Sequence, residues 1–554
     1  MKIKGCEICD ETMHVQFVEG EALSLLTSKT GSWRSVRPVL AGGEAPCRHA
    51  CPGGIRIREY LELLGESNLN EAAEILAEDN PLAAITGRVC PCFCEPECNR
   101  GGFDEPLAIK QLERLLGDYV VRQGFSLPDV PPKKERVAII GSGPAGLSAA
   151  YYLARHGYGV TILEAFSVAG GMLYWGVPDY RLSKGVVDGQ IEAIKGLGVE
   201  IRTGVAVGQD VTFNELLTEG YDAVLIAVGA QKDLRLNVPG EDARGVLPAV
   251  VFLRQVNAGD AVSLGDRVCV IGGGNTAIDS ARAARRLGAR SVSILYRRSR
   301  AEMPGVVEEV DAALEEGIEI QFLVAPTEIG VRDGKVASIR CVRMELGDPD
   351  DTGRRRPIPI SGSEFDLETD TVIVAIGQVP DLSFLDGSGV EIDRAGTIGA
   401  DSETLATTLP KVFVAGDALT GPATVIEAVA SGKKAAQGID LCLAGREIPV
   451  SPETQRIVRY EDLNVHYFKR KPRQDLKGDD VETLTETACA EARRCFQCGR
   501  CNACNTCWFL CPDAVILQKN GEIEFDYEYC KGCGVCAEEC PRGALGMDEE
   551  SRWH

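Results

Sequence analysis

The spacing of the cysteines near the end of the sequence constrains the fold most strongly. The pattern Cys-x2-Cys-x2-Cys-x3-Cys-Pro occurs twice in tandem, at 501–512 and at 530–541. Three thiolates spaced by three residues wrap one face of a 4Fe–4S cubane, and the cysteine before proline ligates the other cluster of a two-cluster domain. The tandem pattern therefore predicts two clusters and argues against zinc. The first is expected to bind Cys501, Cys504, Cys507 and Cys540, and the second Cys511, Cys530, Cys533 and Cys536.

A second group of cysteines lies before residue 99. Eight of the 22 cysteines are in this group and eleven follow residue 488, whereas Cys269, Cys341 and Cys442 are typical of ordinary small apolar positions. The helical apolar spacing between residues 56 and 80 places the N-terminal cysteines on loops between helices. A zinc site uses four ligands and eight cysteines are available, so this group also favours cluster ligation.

The composition excludes several classes of protein. A chain of 554 residues suffices for three or four domains, and its net charge of −23 offers no basic excess for a phosphate backbone. No apolar run approaches the roughly 18 residues that span a bilayer, and the N-terminus does not resemble a signal peptide. We therefore expect no nucleic-acid partner and no membrane insertion. The predicted location is cytoplasmic, where a disulfide framework is improbable.

The segment 136–165 has the complete fingerprint of a dinucleotide-binding βαβ unit. A β-branched strand is followed by a Gly-x-Gly-x-x-Gly motif, an amphipathic helix and a second strand that ends at Glu164. The glycines let the backbone approach a pyrophosphate at the helix N-terminus, and the acid accepts hydrogen bonds from ribose hydroxyls. The nucleotide-binding residues predicted from the motif are Gly141, Gly143, Pro144, Ala145 and Gly146.

The βαβ unit recurs at 267–300. When the second strands of the two copies are aligned, Glu164 corresponds to Tyr296, which is followed by Arg297 and Arg298. An acid at this position accepts hydrogen bonds from ribose hydroxyls, whereas arginines bind a 2′-phosphate. The first copy thus predicts FAD and the second NADPH, with NADH less favoured, unless the arginines are solvated surface charges. The motif residues of the second copy are Gly272, Gly274, Asn275, Thr276 and Ala277.

Two similar apolar strands that end in glycine, at 222–230 and 370–378, bracket the second unit. This arrangement indicates one domain inserted into another. After the second of these strands, a further strand leads to Gly416 and Asp417, and Thr424 begins another helix.

From about residue 45 to 445 the chain resembles the small subunit of NADPH-dependent glutamate synthase and the N-terminal half of dihydropyrimidine dehydrogenase. The motifs that carry the resemblance include "PCRHACPGGIRI", "GGMLYWGVPDYRL", "YRRSRAEMPG" and "VFVAGDALTGPATVIEAVASGKKAA". The tail is similar to a bacterial two-cluster ferredoxin, which the plain glutamate synthase subunit lacks. The resemblance implies that Gly171, Met172, Arg181 and Asp417 contact FAD and that the helix at Thr424 points its N-terminus at the flavin.

The resemblance also implies two 4Fe–4S clusters near the N-terminus. One of them would be held by Cys51, Cys90 and Cys94. Its fourth ligand would be a residue other than cysteine, which falls at Glu113 or, with a small shift, at Gln111.

The other N-terminal cluster is incomplete in this sequence. Relatives supply a Cys-x2-Cys pair just upstream of Cys47, and this chain has no cysteine in that stretch. Cys6 and Cys9 are the expected substitutes, together with Cys47 and Cys98. A further Cys-x2-Cys pair, Cys495 with Cys498, has no place in either ferredoxin cluster, and it either binds nothing or forms a site with the pair at 6 and 9.

The expected fold is α/β, with two Rossmann-like dinucleotide-binding domains, one inserted in the other, between a helical N-terminal iron–sulfur domain and a C-terminal ferredoxin-like domain. The expected boundaries are an iron–sulfur domain at 1–132, an FAD-binding domain at 133–240 and 368–446, an NADPH-binding domain at 241–367, a linker at 447–487 and a ferredoxin-like domain at 488–554.

These features predict an enzyme, an FAD- and iron–sulfur-dependent oxidoreductase subunit that passes electrons from NADPH to a separate redox enzyme. That partner would resemble glutamate synthase, sulfite reductase or a 2-oxoacid oxidoreductase, in a hetero-oligomer or a homodimer. The cofactors carry the chemistry, so no catalytic side chain is assigned. The alternatives are the reverse route, as a ferredoxin:NADP reductase, and a non-catalytic flavin and iron–sulfur module. A flavin disulfide reductase is disfavoured because no Cys-x2-Cys pair lies between Cys98 and Cys489.

Overall fold

The computed structural model describes residues 29–125, 130–218, 220–350, 353–446, 456–476, 478, 481–519 and 521–553. These residues divide into two compact units. Of the described residues, the first unit contains those in 29–83, 92–120 and 456–553, and the second those in 84–91 and 121–446. Both ends of the described chain therefore contribute to the same unit. No helix among the described residues is long and apolar enough to cross a membrane.

The second unit contains a parallel sheet of five strands. Its central strands are rich in β-branched and aliphatic residues and are buried almost throughout. Burial on both faces is typical of a parallel sheet that helices cover on each side. The strands lie in the order Val412–Val414, Ala223–Ile226, Arg136–Ile140, Gly159–Glu164 and Glu200–Thr203.

A second parallel sheet of five strands follows in the same unit, and the mixed α/β fold with two dinucleotide-binding domains is confirmed. Along the chain this sheet lies between two strands of the first sheet, as in an inserted domain. The domain boundary expected at 367 was placed too early, because Thr371–Val374 pairs with Arg267–Ile271 in this second sheet. Its strands lie in the order Glu319–Phe322, Ser291–Tyr296, Arg267–Ile271, Thr371–Val374 and Val246–Pro248.

Smaller antiparallel ladders complete the second unit. Lys232–Asp233 pairs with Gln378–Val379 where the chain passes between the two large sheets. An antiparallel sheet consists of Val324–Arg332, Lys335–Pro349, Arg355–Pro359 and Phe365–Glu368. The longer helices are Pro144–Arg155, Lys184–Lys195, Ala249–Ala258, Asn275–Arg286, Val307–Glu315 and Val425–Leu443, and the shorter ones are Met172–Trp175, Phe213–Thr218 and Asp417–Thr420.

The first unit is built from both ends of the described chain. Strand Val36–Val39 pairs antiparallel with strand Gly546–Glu549. Beside this ladder, the guanidinium of Arg34 forms two contacts of 2.6 Å with the carboxylate of Glu550. The helices are Pro46–Ala50, Ile57–Gly65, Leu69–Asp79, Ile109–Gln123, Val481–Ala492, Thr506–Leu510 and Val535–Glu538, and a hairpin joins Ile516–Lys519 to Glu522–Phe525, whereas all but the first residue of helix Ala83–Val89 belongs to the second unit.

Part of the expected linker 447–487 is packed into the first unit. Val458 is fully buried, and its amide donates to the carbonyl of Glu44 at 3.0 Å. The amide of Glu44 in turn donates to the carbonyl of Arg456 at 2.8 Å. The described residues of this segment therefore belong to the folded unit, because their backbone groups pair with the N-terminal part of the chain.

A buried charge network holds the N-terminal and C-terminal parts of the first unit together. Arg494 is 2% exposed, and its guanidinium contacts Glu491 Oε1 at 2.7 Å and Asp104 Oδ1 at 3.1 Å. The same guanidinium donates to the carbonyl of Glu105 at 2.7 Å. Arg100 donates to the carbonyl of Arg494 at 3.0 Å. Charges that are buried in this way must stay paired, because an unpaired buried charge costs several kcal/mol.

Arg494→Met should destabilise the first unit by about 3–5 kcal/mol, because it leaves Glu491 and Asp104 without this partner. For a unit of this size, that loss lowers the thermal midpoint by roughly 6–20 °C. Calorimetry of the full chain checks this, with Arg493→Met as the matched control, since Arg493 is exposed and its guanidinium donates to the carbonyl of Gly65 and the hydroxyl of Ser67. Equal midpoints for the two variants would contradict the role of the network.

Candidate functional site

A cavity of about 690 Å³ in the second unit brings together most of the predicted FAD-binding residues. They come from segments of the sequence that are far apart, at the βα turn after Ile140, the end of the next strand, and the stretches around 171 and 416–424. Both the volume and the mixture of apolar and polar walls suit a cofactor site. The predicted residues that line the cavity are Gly141, Gly143, Pro144, Ala145, Glu164, Gly171, Met172, Gly416, Asp417 and Thr424.

The glycines of the first motif have three different structural roles. Gly141 has φ of +103°, and a side chain there would lie 2.5 Å from the carbonyl oxygen of Ala227. Gly146 does not line the cavity but lets the helix pack closely, since a Cβ there would lie 2.1 Å from the carbonyl of Gly141. A Cβ on Gly143 would meet no atom within 4 Å. Gly143 precedes helix Pro144–Arg155, so its open side provides space for a phosphate at the helix N-terminus.

Glu164 is a buried carboxylate at the edge of the cavity. Its Oε2 accepts from the amide of Ser142 at 3.0 Å and from the Ser142 hydroxyl, and its Oε1 accepts from the amide of Phe166 at 2.9 Å. An ionised carboxylate has about four acceptor positions, so capacity remains for ribose hydroxyls. This geometry fits the role predicted from the βαβ fingerprint.

The other end of the cavity is formed by Asp417 and the helix Val425–Leu443. Burial raises the pKa of Asp417 to about 6, although the amide of Ala423 donates to its Oδ1 at 3.2 Å. Thr424 is the N-cap of the helix, and its hydroxyl and amide bind Glu427 in a capping box. The positive end of a long helix thus borders the cavity, where it favours negative charge on a bound group.

Sequence reasoning missed several residues that line the cavity. Arg254 lies 4.6 Å above the ring of Phe166, and burial lowers its pKa. It also donates to Gln231 Oε1 at 3.4 Å. The available signal was an arginine among apolar residues in "AVVFLRQVNA", but nothing in the sequence placed that helix beside the first βαβ unit.

Arg181, by contrast, is not among the residues that line the cavity. Its guanidinium contacts Asp279 Oδ2 at 2.6 Å and Glu309 Oε1 at 3.0 Å. Both acids belong to the inserted domain, and Arg181 is buried between them. In this structure Arg181 thus pairs with the inserted domain, and its contact with FAD stays a prediction.

The second βαβ unit repeats the backbone pattern of the first. Gly272 has φ of +142°, and a Cβ there would lie 2.2 Å from the carbonyl of Ala375. Gly274 is the N-cap of helix Asn275–Arg286, and a Cβ there would meet nothing within 4 Å. Ala277 is fully buried where a third glycine would pack. Near the helix start, Asn275 Oδ1 accepts a hydrogen bond from the amide of Val306 at 2.9 Å. The hydroxyl of Thr276 accepts one from Gln378 Nε2 at 3.5 Å.

The two arginines after Tyr296 have different environments. Arg298 is 6% exposed, and its guanidinium contacts Asp350 Oδ2 at 2.7 Å and the carbonyl of Arg355 at 2.8 Å. Arg297 is exposed and forms no ion pair within the described part of the chain. Arg297 is thus available to an anionic ligand, whereas the charge of Arg298 already has a partner.

Two small cavities in the first unit are each lined by four cysteines. Each set includes three cysteines from one tandem run and, from the other run, the cysteine that precedes proline. The crossed arrangement predicted from the spacing is therefore present in the structure. Burial raises the pKa of Cys507 and of Cys536 to about 12. One set is Cys501, Cys504, Cys507 and Cys540, and the other is Cys511, Cys530, Cys533 and Cys536.

Cys51, Cys94 and Glu113 lie together in the N-terminal part of the first unit. Burial raises the pKa of both thiols, and the carboxylate of Glu113 raises them further. Burial also raises the pKa of Glu113 to about 8, and the Tyr60 hydroxyl donates to it at 3.3 Å.

The structure favours Glu113 over Gln111 as the residue beside these thiols. The side chain of Gln111 instead accepts a hydrogen bond from the amide of Leu476 at 2.9 Å. Cys90 belongs to the segment 84–91 of the second unit, and its part in this site stays a prediction.

A fourth set of cysteines was not predicted. The thiols of Cys98, Cys495 and Cys498 lie close enough to Cys47 to raise its pKa, in addition to the larger effect of burial. Burial raises the pKa of Cys495 to about 12 and of Cys498 to about 11. The expected partners at positions 6 and 9 lie outside the described residues.

Within the described ranges, no group of three or more His, Cys, Asp or Glu side chains is arranged to hold a single metal ion. The ligands of a cubane bind four different iron atoms and are spaced more widely than the ligands of one ion. The four sets above are therefore candidate cluster sites.

Each of the two glycine motifs forms a turn at a helix N-terminus with open space for a phosphate, and we call these turns the glycine cradles. Together with the two parallel sheets and the cysteine sets, they define a flavin- and nicotinamide-dependent oxidoreductase with iron–sulfur domains. Residues 135–432 match the model of the pyridine nucleotide-disulphide oxidoreductase family. Residues 28–125 match the 4Fe-4S cluster domain II of dihydropyrimidine dehydrogenase, and residues 523–546 match a 4Fe-4S binding domain. The chain belongs to the pyridine nucleotide-disulphide oxidoreductase family.

Relatives and a solved structure agree with this assignment. The chain is 38% identical to the small chain of NADPH glutamate synthase from Escherichia coli over 422 residues, which are 72% of this chain and 89% of that protein. It is 47% identical over 437 residues to the beta subunit of NADP(+)-dependent formate dehydrogenase from Moorella thermoacetica, covering 74% of this chain and 61% of that subunit. A variant of FprA from Mycobacterium tuberculosis has a TM-score of 0.50 at 25% identity, covering 56% of this chain and 85% of FprA. The resemblance to the glutamate synthase small subunit is confirmed.

Gly143→Ala should weaken FAD binding at least about tenfold, equivalent to about 1.4 kcal/mol, because a methyl group would occupy the space for the pyrophosphate. The fold should tolerate it, since φ at Gly143 is −69° and the new Cβ meets no protein atom. Flavin absorbance per chain after gel filtration measures the effect. Gly274→Ala is the matched control in the inserted domain and should keep its flavin, while an unchanged flavin content in Gly143→Ala would contradict the assignment.

Proposed function

We propose that the chain is the electron-input subunit of a larger redox enzyme and takes its electrons from NADPH. The observation that carries the proposal is the presence, in one chain, of two glycine cradles of the same design and several sets of clustered cysteines. FAD, when bound, accepts a hydride and releases its two electrons one at a time, which is the exchange needed between a nicotinamide and iron–sulfur clusters.

The residues of the chain contribute binding and electrostatics. The backbone around Gly143 admits the pyrophosphate of FAD, and Glu164 accepts hydrogen bonds from its ribose. The N-terminus of helix Val425–Leu443 stabilises negative charge that develops on the reduced flavin. Asp417 borders the same region and binds polar groups of the cofactor chain.

The inserted domain binds the nicotinamide nucleotide. Its cradle begins at Gly272, and Arg297, which is exposed, supplies positive charge for a 2′-phosphate. This charge favours NADPH over NADH. Arg298 contributes by holding the loop in place through Asp350.

The electron acceptor is a separate protein. The names of the relatives support this, since one is a formate dehydrogenase beta subunit and another is the glutamate synthase small chain. The chain spans only 61% of the formate dehydrogenase subunit, so the acceptor belongs to the proposal and not to the comparison. The reverse direction, from reduced clusters to NADP, uses the same residues.

A flavin disulfide reductase needs a pair of redox-active cysteines beside the flavin, and no cysteine of the middle segment lines the cavity among the described residues. Cys269 and Cys341 are buried in the apolar core of the inserted domain, and neither lines the flavin cavity. The third cysteine of the middle segment, Cys442, is exposed near the end of helix Val425–Leu443 and does not line the cavity either.

Anaerobic addition of NADPH tests the proposed route. The flavin absorbance should bleach first, and the paramagnetic signals of reduced clusters should then appear. In Gly274→Ala both steps should slow, while reduction by dithionite should be unaffected. Bleaching of the flavin with clusters that stay oxidised would contradict electron transfer to the clusters.

Arg297→Ala should raise the KM for NADPH by roughly 10- to 100-fold, the effect of losing a charge-assisted contact of about 1.5–3 kcal/mol. The KM for NADH should change little, because NADH has no 2′-phosphate. Steady-state kinetics with an artificial electron acceptor measure both values. The matched control is Arg300→Ala, three residues on, where the arginine is paired with Asp311 at 2.9 Å. Equal use of NADH and NADPH by the unaltered protein would contradict the role of Arg297.

A further inference from the structure

We propose that Cys47, Cys98, Cys495 and Cys498 together bind one 4Fe–4S cluster, which joins the N-terminal iron–sulfur segment to the start of the ferredoxin-like segment. Two of its ligands, Cys495 and Cys498, lie outside every stretch of the chain that matches a family model. The proposal requires cluster binding only, so it does not depend on the direction of electron flow.

Packing brings the four cysteines together. Cys498 is a buried member of an apolar cluster formed by Ala45, Val458, Leu463 and Phe496, and Cys47 packs against the same cluster. Cys98 is joined to this region through the next two residues of the chain. Asn99 Nδ2 lies 3.4 Å from Cys498 Sγ, and Arg100 donates to the carbonyl that precedes Cys495.

The backbone around the Cys-x2-Cys pair forms a turn that contacts Arg58. Gln497, between the two cysteines, has φ of +56°. Its amide lies 3.4 Å from Cys495 Sγ, and its side-chain nitrogen donates to the carbonyl of Arg58 at 3.1 Å. Arg58 in turn donates to the carbonyl of Cys498 at 2.7 Å. N–H groups that point at the sulfurs are typical of cluster-binding loops, where they tune the reduction potential.

The surroundings suit a buried anionic cluster. Phe103 and Phe468 pack against Phe496 with ring centroids 5.7 Å and 4.5 Å away, so aromatic rings surround the residue that follows Cys495. Four thiolates outweigh the charge of the iron–sulfide core, and two cations lie beside the pair of cysteines, since Arg58 donates to the carbonyl of Cys498 at 2.7 Å and Arg542 to the carbonyl of Phe496 at 2.6 Å. Each thiol releases its proton when its sulfur binds iron.

The site also lies next to the neighbouring cysteine sets on two sides. Arg542 lines the cavity of Cys501, Cys504, Cys507 and Cys540, and it donates to the carbonyl of Phe496, between the two new ligands, at 2.6 Å. Helix Pro46–Ala50, which carries Cys47, also packs against helix Ile57–Gly65, and the Tyr60 hydroxyl of that helix donates to Glu113 at 3.3 Å. A cluster at the new site would therefore connect the N-terminal set to the ferredoxin-like sets.

This assignment replaces the earlier expectation for two groups of cysteines. The sequence predicted that Cys47 and Cys98 pair with Cys6 and Cys9, and that Cys495 and Cys498 bind nothing or pair with the N-terminal two. The structure brings the C-terminal Cys-x2-Cys pair to Cys47 and Cys98, because the described residues between 456 and 498 pack against the N-terminal segment, while Cys6 and Cys9 lie outside the described residues.

Single alanine variants of the full chain, prepared anaerobically, test the proposal by iron and zinc analysis. Cys495→Ala and Cys47→Ala should each lose about four irons per chain, the content of one 4Fe–4S cluster. The double variant should lose no more than either single variant, because both remove the same cluster. Cys489→Ala is the matched control, since Cys489 is also buried and lies six residues before Cys495, and it should keep all its iron.

Flavin content and circular dichroism of each variant should match those of the unaltered protein, which separates loss of one cluster from loss of the fold. If the Cys495 variant unfolds, low-temperature paramagnetic resonance of Cys498→Ser supplies the second test, with one cluster signal shifted or missing. Full iron content in Cys495→Ala would overturn the proposal. A loss of about eight irons in the double variant, or zinc in place of iron, would also overturn it.

Discussion

The architecture of the first unit depends on the buried charge network around Arg494. Its guanidinium contacts Glu491 from the helix just before it and Asp104 from the N-terminal segment. The three side chains are almost fully buried, so each charge needs a partner of opposite sign. This requirement favours a fold in which Arg494 meets Asp104, 390 positions away in the sequence. The Cys-x2-Cys pair begins at the next residue, so its position relative to Cys47 and Cys98 follows from the same contacts. The antiparallel pairing of Val36–Val39 with Gly546–Glu549 adds a second link between the same two segments.

The second unit follows a different principle, in which one backbone design is used twice. In each copy a glycine with positive φ forms the turn, a second glycine leaves open space at a helix N-terminus, and a small residue lets the helix pack on its strand. The copies differ at the end of the second strand, where one has a buried carboxylate and the other an exposed arginine. A few side chains on a common framework therefore separate a site for FAD from a site for NADPH.

Much of this could be predicted from the sequence, because the signals are local. The two glycine motifs and the tandem cysteine runs have fixed spacings, and the structure places these residues as their patterns indicate. The contacts that could not be predicted from the sequence join distant segments. Arg181 lies beside an apparent flavin motif, yet Asp279 and Glu309 from the inserted domain neutralise its charge. Arg254 and the partners of Cys47 come from segments that no local spacing connects. The strand at 371–374 belongs to the sheet of the inserted domain, where it pairs with Arg267–Ile271 and Val246–Pro248.

The central claim is that the two ends of the described chain form one iron–sulfur unit. Iron anomalous diffraction from crystals of the anaerobically purified chain tests it most directly, because it locates iron without altering any residue. We expect one compact peak of iron density enclosed by Cys47, Cys98, Cys495 and Cys498, in addition to those at the two ferredoxin-like sets. Iron at the ferredoxin-like sets with none between these four cysteines would contradict the claim.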